Sequence, residues 1–230
     1  MDILVEAMHS VRINGALIVE TQLWGEWCYQ SQEREALRGD PLTAKSVLAF
    51  HLVVEGTCVA SIPGQPPVQT RAGELLLLPQ AEQHILASSM SAFKTLRPRE
   101  HHYDSLRSTG GELHLSESAS TLFVCGYLSC GGDDAVSAFA KLPNLMRVRG
   151  SEHFSKWMHA SITHCMVTLA AQSPASTLMA EKLLEIVLLQ ALRQQFDASD
   201  IRSGQSPPLA VKNGPPQRPP ALGHGQPSRP

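Results

Sequence analysis

The sequence predicts a mainly β chain with α structure at its C-terminal end: an antiparallel β-barrel, then an antiparallel helical hairpin, then a disordered tail. Three observations carry the prediction. Between residues 15 and 131, short β-prone runs recur at close spacing with turn residues between them. From residue 132 onward the apolar residues recur at helical period. Residues 204 to 230 hold eight prolines and four glycines but only three aliphatic residues larger than alanine, too few to bury the surface that ordering requires. The chain therefore divides into an N-terminal arm (1–14), a barrel (15–131), a helical segment (132–199) and a disordered Pro/Gly-rich tail (200–230).

Ile3, Leu4, Ala7 and Met8 lie at helical spacing and predict a short amphipathic helix over 3–10. Ala16 to Val19 and Trp27 to Tyr29 read as strands, followed by a polar loop from Ser31 to Thr43. Val47 to Val54 and Cys58 to Ile62 are the strongest strand signals, and Glu55-Gly56 between them predicts a hairpin. Pro63-Gly64 and Pro66-Pro67 break the chain, and Ala72-Gly73-Glu74 turns it into Leu75 to Leu78, which Pro79 stops. His84 to Ala87 is a further strand. Residues 89 to 112 show little periodicity and predict a long surface loop, before strands at Glu112 to Ser116 and Thr121 to Cys130. Ala135, Phe139 and Leu142 share one helical face. Phe154 to Ala171 and Leu178 to Phe196 form the hairpin around the Ser173-Pro174-Ala175-Ser176 break. The apolar face from Leu183 to Leu192 is too wide to be left in water, and surplus apolar surface there suits a dimer contact.

With 230 residues, 43% of them apolar, the chain can bury one substantial core. Only 17% of residues are charged, 19 Lys plus Arg against 21 Asp plus Glu, so no positive field holds nucleic acid and direct DNA binding is not expected. The longest apolar run, Val47 to Val54, is far too short to span a bilayer, and the N-terminus lacks a cationic signal start. A cytoplasmic protein is expected. Five cysteines (Cys28, Cys58, Cys125, Cys130 and Cys165) form no C-x-x-C pair, which fits reduced thiols.

The segment Phe50-His51-Leu52-Val53-Val54-Glu55-Gly56, followed by Ala72-Gly73-Glu74-Leu75 to Pro79 and then His84, resembles the two-part signature of cupins. More narrowly it resembles the effector-binding domain of bacterial AraC-type transcription regulators, with Gly73-Glu74, Pro79 and His84 matching residue by residue. Leu122 to Leu128 resembles the last barrel strand of one subgroup of those regulators, and Leu142-Pro143 with Val148 the run after it, so the likeness covers about residues 3 to 198. It implies a cupin-like barrel that senses a small-molecule effector, and partnership as a homodimer or a mixed dimer with a full-length relative. Family members continue into two helix-turn-helix units, whereas this sequence enters its Pro-rich tail. The expectation is a sensor without its DNA reader, as an out-of-frame or truncated coding sequence would leave it.

Metal cupins hold a divalent ion with three His and a Glu, and His51 and His84 lie where the family places two of those ligands. The position two residues after His51 is Val53, and Glu55 sits at the turn, so a complete enzyme site is absent and no catalytic residue is assigned. Two readings stand side by side. In one, Trp27, His51, His84 and Cys125 line a ligand pocket, the histidines hydrogen-bonded and Cys125 acting as a small apolar group. In the other, His51, His84 and Cys125 bind a divalent metal such as zinc, as in a metal-binding cupin enzyme. No cofactor is otherwise expected. An oxidant-responsive cysteine sensor is the further alternative, for which Cys28 and Cys130, near strand ends, are the accessible candidates. His101-His102 reads as solvated surface, and His153, His159 and His164 lack the spacing of a metalloprotease helix.

Overall fold

The computed structural model describes residues 11–32, 46–100, 120–131, 133–171 and 173–203. The helix expected at 3–10, most of the polar loop before residue 44, the strand at 112–116 and the tail from 204 lie outside those residues. Among the described residues, ten strands form two five-stranded sheets. The first sheet has the order β1 (Ile13–Trp24), β9 (Ser120–Cys130), β3 (Ser46–Glu55), β6 (Leu75–Leu78) and β10 (Met146–Val148). The second runs β5 (Val68–Arg71), β4 (Thr57–Ser61), β7 (Ile85–Ala87), β2 (Cys28–Gln30) and β8 (Arg99–Glu100). All pairings are antiparallel except the two-residue contact of β2 with β8.

The expected hairpin between β3 and β4 does not form. β3 pairs with β6 and β9, whereas β4 pairs with β5 and β7. Gly56, at φ 77°, turns the chain from one sheet into the other. Gly73, at φ 82°, brings it back, with Val53 N–H donating to Glu74 O and Gly73 N–H to Val53 O. A Gly turn between two apolar runs marks a reversal but not which edges bond. β5 and β10 were not foreseen, because each is a short run beside prolines or a helix and shows no alternation of its own. Residues 89–100 of the expected surface loop are structured instead, where α1 (Met90–Thr95) is capped by the Ser89 hydroxyl and β8 follows it, and 101–112 lie outside the described residues.

Strand period decides what each residue of the first sheet faces. In β3, Leu48, Phe50 and Leu52 point to the helices, while Val47, Ala49, His51 and Val53 take the opposite face, toward the second sheet. In β9, Val124 and Leu128 share the helical side, and Phe123, Cys125 and Tyr127 share the inter-sheet side. The first sheet is thus a middle layer, buried on both faces, which is why β3 and β6 read as near-continuous apolar runs.

The helical layer consists of α2 (Asp133–Phe139), α3 (Glu152–Ala170) and α4 (Pro174–Ser203). Met158, Ile162 and Cys165 of α3 and Leu184, Val187, Leu188, Ala191 and Leu192 of α4 complete the core over the first sheet. β10 lies within the segment expected to be purely helical and pairs with β6, so a boundary at residue 131 divides one shared core. α4 begins at Pro174, not Leu178: Ser173 Oγ accepts from Ser176 N–H and Pro174 occupies the first helical position, where a missing N–H costs nothing. The same helix runs through residues 200–203, past the expected start of the tail. No described helix is long and apolar enough to cross a membrane.

Candidate functional site

A cleft opens between the two sheets, about 640 Å³ only when the solvent at its mouth is counted. Its walls come from Thr21 and Leu23 of β1, Trp27, Tyr29 and Ser31 around β2, and His51 of β3. His84 and Leu86 at β7 and Phe123 to Tyr127 of β9 complete the wall, without Val124. All four residues expected to line a pocket, Trp27, His51, His84 and Cys125, meet here. Strand register explains two of them, because His51 and Cys125 are directly opposed Cα partners on β3 and β9 and point to the same side.

The polar groups at the base form a chain. His84 Nδ1 lies 2.7 Å from Glu82 O and 3.0 Å from Ser31 Oγ, His84 Nε2 lies 2.7 Å from His51 Nε2, and His51 Nδ1 lies 2.9 Å from Cys125 Sγ. A carbonyl oxygen can only accept, so His84 Nδ1 carries the proton and Nε2 presents a lone pair. With one proton on each ring, His51 Nε2–H donates to that lone pair and His51 Nδ1 accepts from the Cys125 thiol. The order Cys125 to His51 to His84 to Glu82 O leaves no ring nitrogen unsatisfied. Ser31 Oγ also accepts from His84 N–H at 2.9 Å, fixing the ring at its backbone.

Burial keeps His84 and Cys125 neutral. His84 is pushed down to about 4 by desolvation, against the opposing pull of its bond to Glu82 O. The Cys125 thiol is pushed well above the ordinary thiol range, first by burial and then by the neighbouring Cys58. Burial likewise raises Tyr127, with Cys125 adding to the shift.

The metal reading does not fit this geometry. His84 and Cys125 address opposite edges of the His51 ring, so the three candidate ligands do not converge on one point. Two imidazole nitrogens on one tetrahedral zinc stand roughly 3.3 Å apart, wider than the 2.7 Å hydrogen-bond separation between the histidines. Among the described residues no group of three His, Cys, Asp or Glu is placed to hold a metal ion. The accessibility expected of Cys28 and Cys130 is also corrected: they are 4% and 1% exposed, and burial raises both thiols, Cys130 to about 12. Strand ends are open in an isolated hairpin, but α1 packs beside Cys28 and the helical layer covers Cys130.

Above the polar base the cleft is aromatic. Trp27 stacks on Tyr29 with centroids 6.0 Å apart, and meets Phe123 edge to face at 5.6 Å. Phe123 and Tyr127 were missed, although the period of two from Cys125 along β9 would have found both. Thr21 and Ser31 had no comparable signal, since one lies on a strand longer than its apolar run and the other at a loop edge.

A family profile described as a cupin matches residues 2–197. The chain belongs to the cupin family. No curated protein sequence matches it. Among solved structures, this cupin is similar to the AraC-like transcriptional activator CuxR at 11% identity, covering 84% of this chain and 63% of that one, with a TM-score of 0.45. It is similar to the unsaturated-fatty-acid-bound ToxT from Vibrio cholerae at 11% identity, covering 81% and 56%, with a TM-score of 0.41. The protein YhaK from Escherichia coli matches at 13% identity over 61% and 45%, with a TM-score of 0.33. The cupin thus spans between 45% and 63% of the length of these three chains.

Proposed function

We propose that this cupin is a ligand-binding domain that senses a small-molecule effector, of the kind AraC-type regulators carry, and that it binds its ligand without turning it over. The observation that supports this most is the inter-sheet cleft itself, walled by aromatic residues and floored by a hydrogen-bond chain. The AraC assignment rests on the ordered sequence blocks from Phe50 to Gly56, Ala72 to Pro79 and His84. Binding alone, rather than catalysis, suits a site whose histidines satisfy each other and whose thiol is held protonated.

In this reading, ligand occupancy shifts the balance between arrangements of the barrel and the helical layer. A second copy or a full-length relative would then pair through α4, where Leu178, Met179 and Ile186 are exposed. The test is a thermal-shift screen of a small-molecule library at neutral pH, repeated with Leu23→Trp, which fills the cleft. Compounds should raise the melting temperature of the wild-type protein and not of the variant. If no compound stabilises the wild-type protein, or if the same compounds stabilise both equally, the cleft is not the effector site.

A further inference from the structure

The cleft carries a specification of ligand class that its existence alone does not. None of the described residues lining it is Asp, Glu, Lys or Arg. His84, held neutral by burial and bonded at both ring nitrogens, supplies no positive charge in their place. His84 Nδ1–H is committed to Glu82 O, His84 Nε2 to His51 and His51 Nδ1 to Cys125. Burial disfavours the imidazolium of His84 and the thiolate of Cys125. Among the described lining residues an anionic ligand would find no Lys or Arg, and a cationic one no carboxylate. Either would lose its hydration for contacts with Leu23, Leu86 and Phe123.

Two polar atoms of the cleft residues are nonetheless unspent. The indole N–H of Trp27, a residue 6% exposed, has no hydrogen-bond partner, and neither has the buried Thr21 hydroxyl. An indole nitrogen can only donate, and a buried donor left unpaired costs stability that folding would otherwise shed. Both residues line the same cleft as the aromatic wall of Tyr29 and Phe123. A ligand acceptor facing Trp27 would satisfy the donor, while the rest of the ligand met apolar and aromatic surface.

Resting on the ligand-binding reading above, we infer that this site takes an uncharged, largely apolar or aromatic molecule bearing a hydrogen-bond acceptor such as a carbonyl, accepted by Trp27 Nε1–H, and discriminates against carboxylates. Three probes of one shape separate the contributions: 2-acetonaphthone, which is neutral with an acceptor, 2-naphthoate, which is anionic, and naphthalene, which has no acceptor. Equilibrium dialysis against the full chain at pH 7.5 should give a ketone affinity at least tenfold above that of naphthoate and several-fold above that of naphthalene. Trp27→Phe should bring the ketone to within about twofold of naphthalene, and the comparison of probes within one protein separates this from a general loss of folding. Naphthoate binding as tightly as the ketone overturns the inference while leaving a ligand-binding cleft intact. Equal affinities of ketone and naphthalene for the wild-type protein also overturn it, as does no saturable binding of any probe. The broader ligand-binding reading is judged separately, by the library screen.

Discussion

Acidification should destabilise this cupin through His84 before its carboxylates titrate. The side chain is 2% exposed, and desolvation lowers it from the ordinary 6.5 to about 4. Between those values the unfolded chain takes up a proton at this position and the folded chain does not, so stability falls as pH falls through the window and levels off below it. At about 1.4 kcal/mol per pH unit, the full window is worth about 3 kcal/mol, a substantial share of the 5–15 kcal/mol typical of a domain. The geometry adds a reason for the sign. A proton on His84 Nε2 would face the His51 Nε2–H at 2.7 Å, turning a hydrogen bond into two opposed donors. Urea unfolding followed by tryptophan fluorescence at pH 7.5, 6.5, 5.5 and 4.5 measures the loss, with His84→Asn as the comparison. The variant starts lower, because its bond to His51 is gone, but its stability should fall less across the window. Carboxylates and exposed histidines contribute equally to both proteins and cancel in the difference. A wild-type stability that stays flat to pH 4.5, or an equal fall in the variant, refutes the reasoning.

Other outcomes follow from packing and burial. A Cβ at Gly126 would stand 2.6 Å from Leu17 O and 2.6 Å from the Phe50 ring, so Gly126→Ala should cost about 1–3 kcal/mol by urea unfolding; a neutral result would mean that β1 and β9 part readily. Phe123→Ala removes a fully buried ring that also supports Trp27 and should cost about 3–5 kcal/mol, with a cost under 1 kcal/mol showing that the cleft collapses to fill the space. Ser155 Oγ donates to Gly73 O at 2.7 Å and ties α3 to the turn entering β6, so Ser155→Ala should lower stability by about 1 kcal/mol in the same assay. Iodoacetamide at pH 8 should modify the five thiols of the native protein far more slowly than those of the urea-unfolded chain. Mass mapping that finds Cys130 modified in the native protein as fast as in the unfolded chain would contradict its burial.

Much of the architecture was legible because local physics determines it. The runs Val47 to Val54 and Leu75 to Leu78, bounded by turn residues, read as buried strands, and Ser173-Pro174 as a helix boundary, since N-capping and proline geometry act over three or four residues. Trp27, His51, His84 and Cys125 meet in one site, His51 and His84 where the family likeness implied, and the period of two puts His51 and Cys125 on the side of their strands that faces the cleft. Partner choice was not legible. β3 and β4 read as a hairpin, yet Gly56 passes the chain between layers, and nothing within ten residues distinguishes those two outcomes.

The sequence by itself therefore determined that this chain forms a cupin-like β structure with an amphipathic helical layer, and which side chains could meet in its interior. Only the tertiary structure decided what that meeting amounts to. Whether two histidines and a thiol form a metal site or a closed hydrogen-bond chain depends on which edge of the His51 ring each partner approaches. That direction is set by β9 lying beside β3 in one sheet while His84, just before β7, reaches in from the facing sheet. It is a property of long-range packing, and no spacing along the chain encodes it.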